Sequence, residues 1–141
     1  MNTFKHIMMK KYFQTAFLFL LIALVITACE KDIPVDEDGL LITTRTECAV
    51  VNFELLGSDF VTVRSKVPVI DTLAQTVQVE VLFGTDLKNV YPQFTLSSDC
   101  KLDPKIVGKV DLSDLSNPKV YTVISGNRNI RKPYKLIIKY Q

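Results

Sequence analysis

The stretch TVQVEVLF at residues 76–83 decides the fold class of this chain. Apolar side chains stand at every second position, at Val77, Val79, Val81 and Phe83, and polar side chains alternate with them up to residue 80. A period of two places the four apolar side chains on one face of a β-strand and the polar ones on the other. The stretch is therefore predicted to be a half-buried strand.

The same kind of pattern recurs on both sides of this stretch. Further strands are predicted at residues 51–55, 60–67, 93–97, 100–102, 119–125 and 134–140, with turn residues between them. Beyond residue 29 no segment sustains the helical period of 3.6 residues. About seven short strands in about 95 residues predict an all-β domain, an antiparallel β-sandwich of two sheets.

The first 28 residues have the three parts of a secretory signal. Lys10 and Lys11 precede an uncharged run of about 17 residues, 12–28, which ends in small residues. The sequence ITAC at 26–29 resembles the bacterial lipobox, and the resemblance implies that Cys29 is acylated and becomes the mature N-terminus. Two or three acyl chains, at about 0.8 kcal/mol per buried methylene, anchor a protein stably. A retained membrane-spanning helix and a plain cleaved signal are the alternatives.

The chain then divides into a linker, residues 29–46, and a folded domain, residues 47–141. Residues 30–39, EKDIPVDEDG, are acidic, contain Pro and Gly and have no apolar period, which predicts a flexible tether. An acidic stretch after a lipidated cysteine also resembles the surface-export signals of Bacteroidetes lipoproteins. The acidic residues 36–38 lack the spaced ligands of a calcium loop, so neither a metal site nor a cofactor is predicted.

Charge and composition exclude several kinds of function. The three lysines within residues 1–28 leave 14 basic residues against 15 acidic ones in the rest of the chain, a net charge of −1, so no nucleic-acid partner is predicted. The only histidine, His6, lies in the signal, so histidine-dependent catalysis is not expected in the mature chain. Asp111 and Asp114 are the nearest carboxylate pair, and we interpret them as cap and turn residues rather than a glycosidase pair. The protein is predicted not to be an enzyme.

Two cysteines remain once Cys29 is assigned to lipidation. Cys48 precedes the first strand and Cys100 follows a middle one, so both lie at strand ends. An exported protein lives where disulfides persist, which favours a Cys48–Cys100 disulfide. Two separate buried thiols are the alternative, because pairing requires Cα atoms within about 7 Å.

Residues 79–97, VEVLFGTDLKNVYPQFTLS, resemble a known family. They are similar to the immunoglobulin-like module of unknown function in Bacteroidetes surface lipoproteins, as are NP at 117–118, YTV at 121–123 and YKLII at 134–138. The resemblance covers residues 49–140 and implies an immunoglobulin-like fold and an outer-membrane, surface-exposed location. Cys100, where the family has a small residue, and the basic turn at 126–132 depart from its pattern.

The resemblance implies a non-enzymatic envelope lipoprotein, held to the membrane by its lipid anchor. It suggests a small binding or accessory module associated with glycan uptake, with a glycan or an outer-membrane protein as partner. Sugar sites use exposed aromatic faces, and the candidates are Phe60, Tyr91 and Tyr140. The alternative is a structural subunit that packs on another outer-membrane protein and has no ligand of its own.

Overall fold

A computed structural model describes residues 33–141, and this part of the chain is all-β, with seven strands and no helix. The strands are β1 (Val50–Leu56), β2 (Val69–Asp71), β3 (Thr76–Val81), β4 (Tyr91–Leu96), β5 (Lys101–Asp103), β6 (Val120–Ile124) and β7 (Arg131–Tyr140). Since no helix occurs among these residues, none of them belongs to a helix long and apolar enough to cross a bilayer. The predicted signal and Cys29 lie outside the described residues.

The seven strands form two sheets. One sheet has the order β1-β4 and the other has the order β2-β3-β7-β6-β5. All neighbouring strands are antiparallel except β3 and β7, which pair in parallel from Thr76↔Lys135 to Val81↔Tyr140. The prediction of a purely antiparallel arrangement is wrong at this one pair, because β7 runs the same way as β3 and lies beside it.

The alternating side chains of both sheets form one hydrophobic core. In β3, Val77, Val79 and Val81 are buried as predicted, and in β1 Phe53 and Leu55 are fully buried. Each of these side chains contributes about 1.5–3 kcal/mol through burial. The core therefore fixes which face of every strand points outward, including the strands that carry the candidate site.

Two predictions about the strands are wrong. Residues 60–67 do not form a strand, and the segment makes only isolated bridges, Leu56↔Thr62 and Arg64↔Val81. This segment crosses from the end of β1 to the end of β3, so it forms one bridge to the end of β1 and one to the end of β3. Phe83 does not join the inward face of β3, because the strand ends at Val81, and the Phe83 side chain is 88% exposed.

Residues 34–46 lie against the folded domain in the structure. Asp36 accepts a hydrogen bond from Arg128 Nε at 2.8 Å and lies 3.0 Å from Lys101 Nζ, and its side chain is only 3% exposed. Thr43 N also donates to the carbonyl of Gly126 at 2.9 Å. Burial raises the pKa of Asp36, but the hydrogen bonds from Lys101 and the neighbouring groups outweigh it and hold that pKa far below its usual range. The boundary between linker and domain at residues 46 and 47 stays a prediction.

Candidate functional site

The turn after β1 presents an aromatic ring to solvent. Phe60 N donates to the carbonyl of Gly57 at 3.0 Å, and Gly57 N donates to the carbonyl of Val61 at 2.8 Å. Asp59 Oδ1 accepts a hydrogen bond from Val61 N at 3.2 Å. These bonds hold Phe60 at a φ of +62°, in the left-handed region that bulky side chains rarely adopt. Such strain costs about 1–3 kcal/mol and is concentrated at functional sites.

Phe60 stacks on Tyr91, the first residue of β4. The ring centroids are 4.6 Å apart and the planes are inclined by 22°. Phe60 is 65% exposed and Tyr91 is half-buried. One face of the Phe60 ring is therefore supported by Tyr91, and much of the rest of this side chain is open to solvent.

A second aromatic pair lies at the ends of β3 and β7. The rings of Phe83 and Tyr140 meet edge to face, with centroids 6.3 Å apart. The Tyr140 hydroxyl donates to the carbonyl of Thr85 at 3.3 Å. The structure thus brings the candidate Tyr140 beside Phe83, a residue that the alternation along β3 predicts to be buried.

The two pairs lie at the same end of the domain. Leu56, which pairs with Tyr91 in β4, also bridges Thr62, and Arg64 in the same segment bridges Val81. Tyr140 in turn pairs with Val81. The order across this end is thus β4, β1, the 62–64 segment, β3 and β7, with adjacent chains about 4.8 Å apart. We call this end of the domain, with its two pairs Phe60–Tyr91 and Phe83–Tyr140, the aromatic end.

Polar groups lie beside the Phe60–Tyr91 pair. Glu54 points outward from β1, because its neighbours in the strand, Phe53 and Leu55, point into the core. It accepts hydrogen bonds from Arg64 Nε at 2.8 Å and Thr62 Oγ1 at 2.7 Å. Burial raises the pKa of Glu54, but these bonds lower it more, so the carboxylate is charged at neutral pH. An aromatic face flanked by fixed polar groups can accommodate a ring that has an apolar face and hydroxyl groups.

The two predicted disulfide partners are both thiols in the structure. Cys48 Sγ donates to the carbonyl of Val123 at 3.1 Å, and Cys100 Sγ donates to the carbonyl of Glu47 at 3.0 Å. The thiol of Cys100 thus contacts the residue before Cys48, so the two strand ends do meet at one end of the domain. Burial raises the pKa of both thiols. Their pairing stays a prediction.

The carboxylate pair Asp111 and Asp114 lies beside a small cavity of about 120 Å³. Asp111 accepts hydrogen bonds from the Ser113 hydroxyl and backbone, and these bonds lower its pKa. Asp114 accepts from the side chain and backbone of Asn117, and the side-chain bond is the main reason that its pKa is lowered. These contacts agree with the interpretation of both residues as cap and turn residues. Among residues 33–141 no group of three or more His, Cys, Asp or Glu side chains could hold a metal ion.

Two solved structures share the fold. A candidate glycoside hydrolase from Bacteroides thetaiotaomicron is 24% identical, with a TM-score of 0.56, over 67% of this chain. A DUF4623 family protein from Bacteroides eggerthii is 17% identical, with a TM-score of 0.50, over 67% of this chain. This chain spans only 25% and 22% of the lengths of those two proteins.

Sequence comparison identifies the family. Among curated proteins, none matches this chain. Residues 58–137 match the family described as "SGBP, N-terminal". They contain β2 to β6 in full and most of β7, and they include Phe60, Phe83 and Tyr91 of the aromatic end. The match covers more than half of the chain, and the chain therefore belongs to the SGBP N-terminal family.

Proposed function

We propose that this protein is a non-enzymatic accessory module of glycan uptake at the cell surface, which contacts glycan through its aromatic end. The family name abbreviates surface glycan-binding protein and supports the ligand class. The observation that carries the proposal is the exposed Phe60 ring, held at positive φ and supported by Tyr91 at 4.6 Å. A pyranose ring has an apolar face of C–H groups, and this face would pack on the open side of Phe60.

Glycan recognition also needs hydrogen-bonding groups at fixed positions. Glu54, Arg64 and Thr62 supply them on the outward face beside the pair, and the side chains of Glu54 and Arg64 are only about a quarter exposed. Because these three groups bond to one another, they are ordered before a ligand arrives, and less entropy is lost on binding. Phe83 and Tyr140 would contact further sugar units of the same chain.

The proposal includes a lipid anchor at Cys29 and an immunoglobulin-like fold for the domain. The lipobox at 26–29 supports the anchor, and an outer-membrane, surface-exposed location follows from it together with the family. The two packed β-sheets support the fold. Replacing Cys29 by Ser should abolish acylation and membrane retention, measured by radiolabelled palmitate and by membrane fractionation. A Cys29→Ser protein that is labelled and retained like the wild type would refute the anchor.

A structural subunit is the second candidate function. Val69 begins β2, the edge strand of the larger sheet, and Val67 and Leu73 flank this strand. Their side chains are exposed, Val67 by 76%, Val69 by 59% and Leu73 by 95%. An exposed apolar edge can pack on another protein. Cross-linking in intact membranes distinguishes the two functions, since a Leu73→Asp variant should lose a protein partner only if the edge of β2 is an interface. The same variant should bind glycan normally.

A further inference from the structure

Residues 34–42 form a short hairpin that lies against the folded domain. Ile42 N donates to the carbonyl of Pro34 at 2.8 Å, and Asp36 N donates to the carbonyl of Leu40 at 2.9 Å. These two bonds fold the segment back on itself, so the chain enters and leaves the hairpin at neighbouring points. We call this hairpin the clasp.

Three charged side chains hold the clasp on the domain. Asp36 Oδ2 lies 2.8 Å from Arg128 Nε and 3.0 Å from Lys101 Nζ, and the three side chains are between 3% and 15% exposed. Lys101 also contacts the two carboxylates that follow Asp36, at 2.9 and 2.6 Å, and Arg128 Nη2 donates to the carbonyl of Leu41 at 3.0 Å. Salt screens partly buried pairs much less than exposed ones, so the clasp stays attached at physiological ionic strength.

The backbone that follows the clasp packs on the turn between β6 and β7. Thr43 N donates to the carbonyl of Gly126 at 2.9 Å, and Asn127 N donates to the carbonyl of Arg45 at 2.9 Å. A Cβ at position 126 would collide with Thr43 Oγ1 and would lie 3.2 Å from Arg45 Cβ, so the close approach of the two segments requires glycine. We call the end of the domain at this turn the clasp end.

The clasp end and the aromatic end lie at opposite ends of β7. Arg131 begins the strand just after the turn at the clasp end, and Tyr140 of the aromatic end is its last residue. The nine steps between these two residues, at about 3.3 Å each, span about 30 Å. Cys29 lies four residues before Ile33, and an extended chain covers at most about 3.6 Å per residue, so the two are within about 14 Å of each other.

We infer that the clasp end is the surface of this protein that faces the lipid headgroups of the membrane, and that the aromatic end is held away from the bilayer. The inference rests on the lipid anchor at Cys29, which is part of the proposed function, and adds an orientation to it. With the clasp closed, the aromatic end could face the bilayer only if the segment between Cys29 and the clasp spanned about 30 Å, about twice its reach. The aromatic rings are therefore presented to glycan outside the membrane.

Energy transfer from tryptophan to the bilayer measures this orientation. The protein contains no tryptophan, so a single one can be introduced at either end of the domain. Asn129→Trp lies at an exposed position of the clasp end, and Ser58→Trp lies at an exposed position of the turn that carries Phe60. The acylated mature protein is reconstituted into phosphatidylcholine vesicles with dansyl groups on a small fraction of the headgroups. Because transfer falls steeply with distance, it should be several-fold more efficient from Asn129→Trp than from Ser58→Trp.

Opening the clasp should reduce the difference between the two tryptophan positions. Asp36→Asn removes the charge that Lys101 and Arg128 share, and release of residues 30–42 would extend the reach of the anchor to about 50 Å. Asp114→Asn, the same substitution in the loop before β6, is the matched control and should leave the difference unchanged. Circular dichroism of each variant checks that the β-sheets are intact.

The outcomes separate this inference from the proposed function. Equal transfer from the two tryptophans of vesicle-bound protein, or stronger transfer from Ser58→Trp, would overturn the orientation and leave the anchor intact. A difference that is the same in Asp36→Asn and Asp114→Asn would show that the clasp does not set the orientation. Protein that does not stay with the vesicles would refute the anchor and the inference with it. No glycan is present, so a failure of the aromatic end to bind glycan cannot produce any of these results.

Discussion

Phe60 and Tyr91 stack with their centroids 4.6 Å apart, and the two residues come from different parts of the chain. Tyr91 opens β4 opposite Leu56, so the antiparallel β1–β4 pair brings it to the turn that carries Phe60. Offset aromatic pairs of this kind contribute about 0.5–1.5 kcal/mol beyond their buried area. Part of the strain at Phe60 is therefore offset by the ring that supports it.

Gly57→Ala should disturb the turn that holds Phe60. A Cβ at position 57 would lie 2.9 Å from Asp59 Oδ1 and 3.1 Å from Val63 Cγ1. Moving the Asp59 carboxylate breaks its bond to Val61 N, so we expect a loss of about 1–3 kcal/mol in unfolding free energy. Urea denaturation measures it, and Ser58→Ala is the exposed control. Equal stability of the two variants would contradict this account of the turn.

Val79→Asp should unfold most of the domain. Val79 is 2% exposed, so the substitution buries a charge with no partner and should cost about 3–5 kcal/mol. Gln78→Glu adds the same charge at the exposed neighbouring position in β3 and should change stability by less than about 0.5 kcal/mol. Circular dichroism during urea denaturation compares the two, and similar midpoints would show that the assignment of inner and outer faces is wrong.

Acid should weaken the attachment of residues 34–46. The folded-state pKa of Asp36 lies far below its ordinary value, so its contribution to stability is complete above about pH 4–5 and is lost as the pH falls toward the lowered pKa. Asp36→Asn should remove this part of the acid dependence and leave Lys101 and Arg128 without their shared carboxylate. Urea midpoints measured from neutral to acid pH test this, with Asp59→Asn as the control. A wild-type and an Asp36→Asn curve of the same shape would contradict the prediction.

Cys48 and Cys100 should form a disulfide when the protein is exported to an oxidising envelope. The Cys100 thiol already contacts the carbonyl of Glu47, the residue before Cys48, so the two cysteines are neighbours in the fold. A bridge closing a loop of about 50 residues stabilises by about 4 kcal/mol on the chain-entropy estimate. Thiol counting on the denatured Cys29→Ser protein, prepared without reductant, should find none. Two free thiols would refute the bridge.

Much of the fold could be predicted from alternation along the sequence. The inward positions of β3, β6 and β7 follow from a period of two, since their inner faces are apolar. The parallel pairing of β3 with β7 could not be predicted, because periodicity is the same for either direction. Residues 60–67 are rich in β-branched side chains, but the turn at Gly57 and the crossing to β3 leave this segment only isolated bridges.

The candidate site was predictable only in part. The sequence predicts Phe60, Tyr91 and Tyr140 as exposed aromatic faces for a sugar, and the structure places Phe60 and Tyr91 in one aromatic pair and Tyr140 in the other. Phe83 continues the alternation of β3, which predicts that its side chain is buried. The structure shows that the strand ends at Val81 and that the Phe83 side chain is exposed. The stacking of Phe60 on Tyr91 depends on β1–β4 pairing and on a positive φ, neither of which the local sequence reveals.

The central claim is that the aromatic end binds glycan, and affinity electrophoresis of the full-length protein in mild detergent tests it most directly. Native gels containing starch, xyloglucan or mannan should retard the wild type in at least one case. Phe60→Ala should lose about tenfold in affinity, or about 1.4 kcal/mol. Leu73→Ala, which removes a still more exposed apolar side chain elsewhere, should migrate like the wild type. Migration of Phe60→Ala identical to that of the wild type in every retarding gel, or no retardation of the wild type at all, would contradict the claim.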